Sequence, residues 1–130
     1  MRDLKSNIKP VQSLVPINRN AAANGSGVDL SGFNGASVLF SSGAIGGTAS
    51  PTFTFEVQES DDNTTFTAVA DRDLRGVEPV ITTANQISQV AYLGYKRYIR
   101  AALKTVSGTS PTLDCAAAVI LGHPTNAPTA

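Results

Sequence analysis

Apolar and polar positions alternate along much of this chain, in short runs bounded by Gly, Pro, Ser, Asn and Asp. The clearest run is Phe53 to Glu59 (FTFEVQE), which places Phe53, Phe55 and Val57 on one face and Thr54, Glu56 and Gln58 on the other. That period of two is the mark of a strand with one buried face. Phe66 to Ala70 follows across the polar cluster Ser60-Asp61-Asp62-Asn63-Thr64, so the two runs predict a β-hairpin. Further strands are expected at Val28 to Leu30, Ala36 to Phe40, Val80 to Thr83 and Gln89 to Leu93. In Lys96 to Leu103 (KRYIRAAL), Arg97, Ile99, Ala101 and Leu103 share one face, while Lys96, Tyr98, Arg100 and Lys104 lie on the other. The segment is short and preceded by Gly94, which favours a strand over a helix. Cys115 to Gly122 (CAAAVILG) is apolar on both faces, as in a central strand against which another layer packs closely.

Between these runs lie segments expected as loops. Ser41 to Pro51 (SSGAIGGTASP) reads as a Gly/Ser loop long enough to reach a neighbour, Asp71 to Pro79 as a second loop, and Ser107 to Pro111 as a break. Residues 1–26 scatter single apolar positions among Pro10, Pro16 and a polar run from Asn18 to Ser26, and read as an extended arm rather than a core element. Such arms add to a neighbour's sheet or run along a partner. The fold expected is therefore all-β: a single antiparallel β-sandwich or jelly-roll-like domain over residues 27–122, with the N-terminal arm at 1–26 and an exposed tail at 123–130.

Composition supports the all-β expectation. At 130 residues the chain is one domain's worth, large enough to bury a core without disulfides. Charged residues make up 15%, against roughly 25% in ordinary soluble domains, and their place is taken by Ser, Thr, Ala and Gly. Ten cations balance ten anions, so no long-range field draws in nucleic acid or an anionic membrane. Within that neutral whole, Arg2, Lys5, Lys9 and Arg19 against Asp3 give the arm a net charge of +3, and these four cations are the expected partner contacts. The N-terminus carries charges and Pro10 where a secretory signal needs an apolar stretch, so synthesis in the cytoplasm is expected.

Residues suited to catalysis or metal binding are present, but not in the arrangements that chemistry requires. The one histidine, His123, sits at the edge of the tail, and no Ser or Cys nucleophile has a base in a recognisable motif. Cys115 lies in an apolar strand, where a thiol is inert packing. Carboxylate pairs occur at Glu56/Glu59, Asp61/Asp62 and Asp71/Asp73, yet Asp61-Asp62 is in a turn where Asp caps its own backbone, and calcium-loop spacing is absent. Lys96, Arg97 and Arg100 with Tyr92, Tyr95 and Tyr98 mix basic and aromatic groups as single-strand binders do, but alternation splits Arg97 from Arg100. Ion pairing with acidic loops is the simpler expectation for these cations. No catalytic residue, cofactor or metal, and no small-molecule substrate, follows from this inventory.

Four phrases, VDLSGF (Val28 to Phe33), VQESDDNTTFTAV (Val57 to Val69), LGYKRYIR (Leu93 to Arg100) and VILGHP (Val119 to Pro124), occur in an order that resembles small proteins encoded among the head genes of tailed bacteriophages. The resemblance covers most of residues 28–124 and leaves the N-terminal segment unmatched. It implies a β-sandwich with a structural role on the virion head surface, most simply capsid decoration (cement). It implies as partners the major capsid protein and further copies of the chain, as a dimer or trimer, with no nucleic acid and no membrane. A neck or tail station, or a glycan-binding module using Tyr92, Tyr95 and Tyr98, is the alternative.

Overall fold

The computed structural model describes residues 2–125, and over them the protein is all-β. Nine strands form one antiparallel sheet: β1 Ile8–Arg19, β2 Ala23–Asn24, β3 Val28–Asp29, β4 Phe33–Ser60, β5 Thr67–Ala68, β6 Leu74–Arg75, β7 Val80–Ile81, β8 Ile87–Tyr92 and β9 Tyr98–Pro124. The main path runs β1-β9-β4-β8-β6; β2 and β3 also pair with β9, and β5 and β7 with β4.

The sheet is built on one long ribbon. β4 spans 28 residues and β9 spans 27, paired from Phe33↔Pro124 at one end to Ser60↔Tyr98 at the other. The ribbon is not straight. The rings of Phe40 and Phe55 lie 5.4 Å apart, whereas fifteen residues of flat strand would separate them by about 50 Å. β4 therefore doubles back between them, and β9 doubles back beside it. The corner falls where the pairing slips, between Ser42 and Thr52, and where Gly47, Ala49 and Ser50 of β4 and Gly108 and Ser110 of β9 take positive φ. At Gly47 and Gly108 the opposing backbone is so close that a Cβ would stand 2.9 Å from Pro111 Cα and Pro51 Cα respectively. Two segments expected as loops, Ser41 to Pro51 and Ser107 to Pro111, are thus a correction to the sequence expectation: they are the bend of the ribbon. Gly, Ser and Pro serve a bulged corner for the same reason they serve a loop, namely access to left-handed φ.

Folding the ribbon brings its inner faces together around a single core. Val38 and Phe40 from the first half of β4 meet Phe53, Phe55 and Val57 from the second; Ile99, Ala101 and Leu103 of β9 meet Leu113, Cys115, Ala117, Val119 and Leu121. The face assigned from FTFEVQE is the buried one, and KRYIRAAL supplies a strand from Tyr98 onward with the expected inner face. CAAAVILG is a central strand, flanked by β1 and β4, but its outer side (Ala116, Ala118, Ile120) is half-open rather than covered by a second layer. The expected hairpin is present as Gln58↔Ala68 and Glu59↔Thr67.

The N-terminal segment also departs from expectation. Residues 8–19 are not a free arm; they form an edge strand of the protein's own sheet, paired from Ile8↔Gly122 to Arg19↔Leu113. Leu14 is only 1% exposed and belongs to the core, and Ser13 is buried beside it. The irregular sequence pattern has a structural cause. Register shifts between Gln12 and Leu14 and between Leu14 and Ile17 break the two-residue period, so the strand does not show as alternation. Pro10 and Pro16 are compatible with it because an edge strand leaves one row of N–H groups unused. Of the expected tail, His123 and Pro124 complete β9, while residues 126–130 lie outside the described residues.

Candidate functional site

The bend gathers both ends of β4 and both ends of β9 at the opposite extremity of the molecule. There Val28 pairs with Ile99, Asp29 and Ser60 both pair with Tyr98, and Phe33 pairs with Pro124. Segments far apart in sequence, 28–33, 57–69, 93–100 and 119–124, thereby become neighbours. Four of their charges pair off with one another. Arg97 donates through Nε and Nη2 to the two carboxylate oxygens of Asp29 at 3.0 and 2.9 Å, and Lys96 Nζ lies 2.7 Å from Asp61 Oδ2. The bonds from Arg97 hold the Asp29 carboxyl below its ordinary value, with help from the Ser31 N–H. Arg100 stacks on the Phe66 ring at 4.0 Å and donates to Gln58 Oε1 at 2.7 Å. The three cations of the basic-aromatic cluster, Lys96, Arg97 and Arg100, are consequently engaged within the chain.

A cleft of about 470 Å³ opens at this end, walled by Leu30, Phe33, Tyr92, Tyr95, Lys96 and Arg97. Tyr92 is buried; its hydroxyl donates to Glu59 Oε1 at 2.7 Å and accepts from the Lys96 N–H at 3.0 Å. Burial, then the bond to Glu59, pushes the phenol pKa well up. Of the three tyrosines considered for sugar stacking, only Tyr95, 99% exposed, offers an open ring.

The hairpin turn beneath the cleft is locked by Asp62. Its Oδ1 accepts from Ser60 Oγ at 2.8 Å, Thr64 N–H at 2.9 Å and Thr65 N–H at 3.0 Å. The backbone bonds from Thr65 and Thr64 hold the carboxyl down at about 2. Because this folded-state value lies below the ordinary 3.8, the turn's stabilisation is fully present above that value and is lost as pH falls through about 2. Protection of the Thr64 and Thr65 amides, taken relative to the intrinsic exchange rate at each pH, is expected to hold at about pH 4 and to fall toward about pH 2, while Asp62→Ala removes it throughout. Equal protection in the variant would show that Asp62 does not hold the turn.

A second cleft, about 370 Å³, brings together carboxylates in a combination that the sequence pairs did not anticipate: Glu56, Asp71 and Glu78, with Lys104. Glu56 pairs with Lys104 at 3.1 Å, and Glu78 accepts the Val57 N–H. Burial raises the Glu78 carboxyl against that hydrogen bond. Glu78 was not singled out in the sequence because it stands alone between Val77 and Pro79; proximity to Val57 arises only when the loop folds over β4. Of the carboxylate pairs read from the sequence, Glu59 accepts from the Tyr92 hydroxyl and Asp61 pairs with Lys96. Among the described residues no group of three or more His, Cys, Asp or Glu is placed to hold a metal ion.

The four cations expected to contact a partner do not form one patch. Arg2 is exposed, Lys5 begins a short 3-10 turn, Lys9 lies near the start of β1 opposite Leu121, and Arg19 ends it opposite Leu113. Ten residues of strand separate Lys9 from Arg19, roughly 30 Å. Arg19 also turns inward: its Nη2 donates to Val15 O at 3.0 Å, its Nε is buried without a hydrogen-bond partner, and it lies by the Cys115 thiol, whose pKa burial raises. Compared with known protein families, curated proteins and solved structures, the chain matches none.

Proposed function

We propose that the chain is a structural protein of a tailed-phage virion, a capsid decoration (cement) protein that binds the assembled head and bridges neighbouring major capsid protein subunits. The observation that carries this reading is the use to which the four phage-like phrases are put. Four of their seven charged residues, Asp29, Asp61, Lys96 and Arg97, pair with each other across the gathered strand ends and brace that extremity. Such residues specify a shape. The finer architecture fits the same reading: a ribbon doubled over one core is the way a jelly-roll-like sandwich is made.

The mechanism is passive. Head expansion creates a composite site, the rigid sheet occupies it, and many weak contacts add up through multivalency. On this reading Arg2, Lys5 and Lys9, at the N-terminal end of β1, are the cations that would meet the shell. The test is copy number in purified virions by quantitative mass spectrometry, with added protein co-sedimented against stripped heads. Copies comparable in number to the major capsid protein, rebinding to expanded heads, are the expected result. A single ring's worth would move the protein to the neck or tail, and absence from the particle would overturn the virion reading.

A further inference from the structure

The two halves of the folded sheet present very different outer faces. On the second half, Glu56, Arg100 and Lys104 face outward with Gln58, and Phe66 lies against Arg100. The register of the first half yields another surface. Pro10, Ile120, Ser37 and Ala91 form one row across β1, β9, β4 and β8, and Gln12, Ala118, Leu39 and Gln89 form the next. Ala116, Ser41 and Ile87 continue it. No residue in these rows carries a charge. Charges appear at the margin, Arg75 beside Ala91 and Asp114 opposite Asn18 near the corner, both exposed and of opposite sign.

We infer that this face is where two copies of the chain meet, sheet against sheet about a two-fold axis. A centre without charge inside a charged rim is the anatomy of a protein interface. It also narrows the partner, because a charged surface laid on it would be desolvated without compensation. The chain's own face is uncharged in the same way, and its rim charges are unlike, so an isologous overlay brings no like charges into the centre. The relief fits as well: Ile87 stands 70% exposed, and Ser41, its pairing partner, borders an apolar hollow of about 100 Å³ floored by Leu14, Leu39 and Ala117. Each copy so carries a knob and a hollow on one surface. Four strands by about seven residues make a patch of roughly 20 Å on a side, which buries less than the ~1,200 Å² of stable complexes, so the dimer is a weak one in solution. This deepens the self-association that the phage resemblance implies, and rests on the proposed function for its setting, not for its geometry.

Sedimentation velocity of the full chain over a concentration series tests the inference. Wild type is expected to pass from monomer to dimer, Ala118→Arg to weaken that step by about tenfold or more, and Thr67→Arg, on the other half of the sheet, to leave it unchanged. Gln12→Arg, at an exposed position in the same row, repeats the test if Ala118→Arg fails to fold. A wild type that stays monomeric into the millimolar range, or arginine variants that dimerise normally, would overturn the two-fold face. Monomeric wild type whose Ala118→Arg variant no longer binds stripped heads would give the face to the shell protein, overturning the dimer while leaving the virion reading intact.

Discussion

Leu14→Ala is expected to lower the unfolding free energy by about 3 kcal/mol, within the range for deleting a buried leucine side chain. For a domain of this size that corresponds to a fall in Tm of roughly 10 °C. The residue is 1% exposed, in the same apolar cluster as Val38, Ala117 and Val119, and β1 around it is pinned to β9 on both sides of the bulge. Backbone on either side of Leu14 is hydrogen-bonded into the sheet, so the cavity has little means of closing. The result discriminates between two descriptions of the N-terminus. A segment that merely trails from the sheet would tolerate the substitution within about 0.5 kcal/mol, as surface positions do, and urea unfolding of the variant would then coincide with wild type. Loss of stability on the expected scale would instead mean that residues 8–19 fold with the domain. Deleting them to probe partner binding would then confuse a binding defect with an unfolded protein.

How far the sequence announced this fold depends on whether local pattern and tertiary role coincide. In FTFEVQE they do, since β4 there is half-buried and regular, and the alternation names the buried face correctly. At Leu14 they do not: two register shifts in one strand scramble the period, and the prolines that suggested an arm are accommodated by an edge. The Gly/Ser-rich stretches misled for a different reason. Gly47 and Gly108 take the left-handed φ that a loop would also use, and nothing local says that the chain continues pairing on the far side of the corner. Candidate chemistry behaved likewise. Asp62 was legible as a turn cap because its partners are within three residues, whereas Glu78 meets Val57, 21 positions away, and could be found only in space. Arg97 and Asp29 are 68 positions apart, and their pairing too arises only in space, because Asp29 sits in β3, which the fold lays against Tyr98.

Gly25→Ala is expected to be as damaging as the loss of Leu14, costing about 3 kcal/mol by forcing atoms into a filled space. A Cβ on Gly25 would stand 2.5 Å from Ser13 Oγ, 2.6 Å from Ala101 O and 2.7 Å from Ser13 O. Two of those atoms are backbone carbonyls and cannot rotate away. They also belong to a clasp that joins the two halves of the folded sheet. Gly25 N–H donates to Ala101 O at 2.8 Å and Ser26 N–H to Ser13 O at 2.7 Å, while Ser13 Oγ donates to Ser26 O and accepts the Ala101 N–H, both at 2.9 Å. Ser13 lies in the bulge of β1, beside the second half of β9, whereas Ala101 lies in the first half. The bulge that hid β1 from the sequence pattern therefore has a purpose: it turns a serine across the core to hold the ribbon closed. Ser13→Ala keeps the space but strands the Ala101 N–H and a Ser26 carbonyl, for about 1–3 kcal/mol. Gly32 offers the contrast, with φ at 90° and nothing within 4 Å of an added Cβ, so Gly32→Ala bears backbone strain alone, about 1 kcal/mol. Thermal unfolding of the three variants should rank Gly25→Ala below Ser13→Ala and Ser13→Ala below Gly32→Ala. If Gly25→Ala melts with Gly32→Ala, the two halves are not clasped at this point, and closure of the ribbon rests on the apolar core alone.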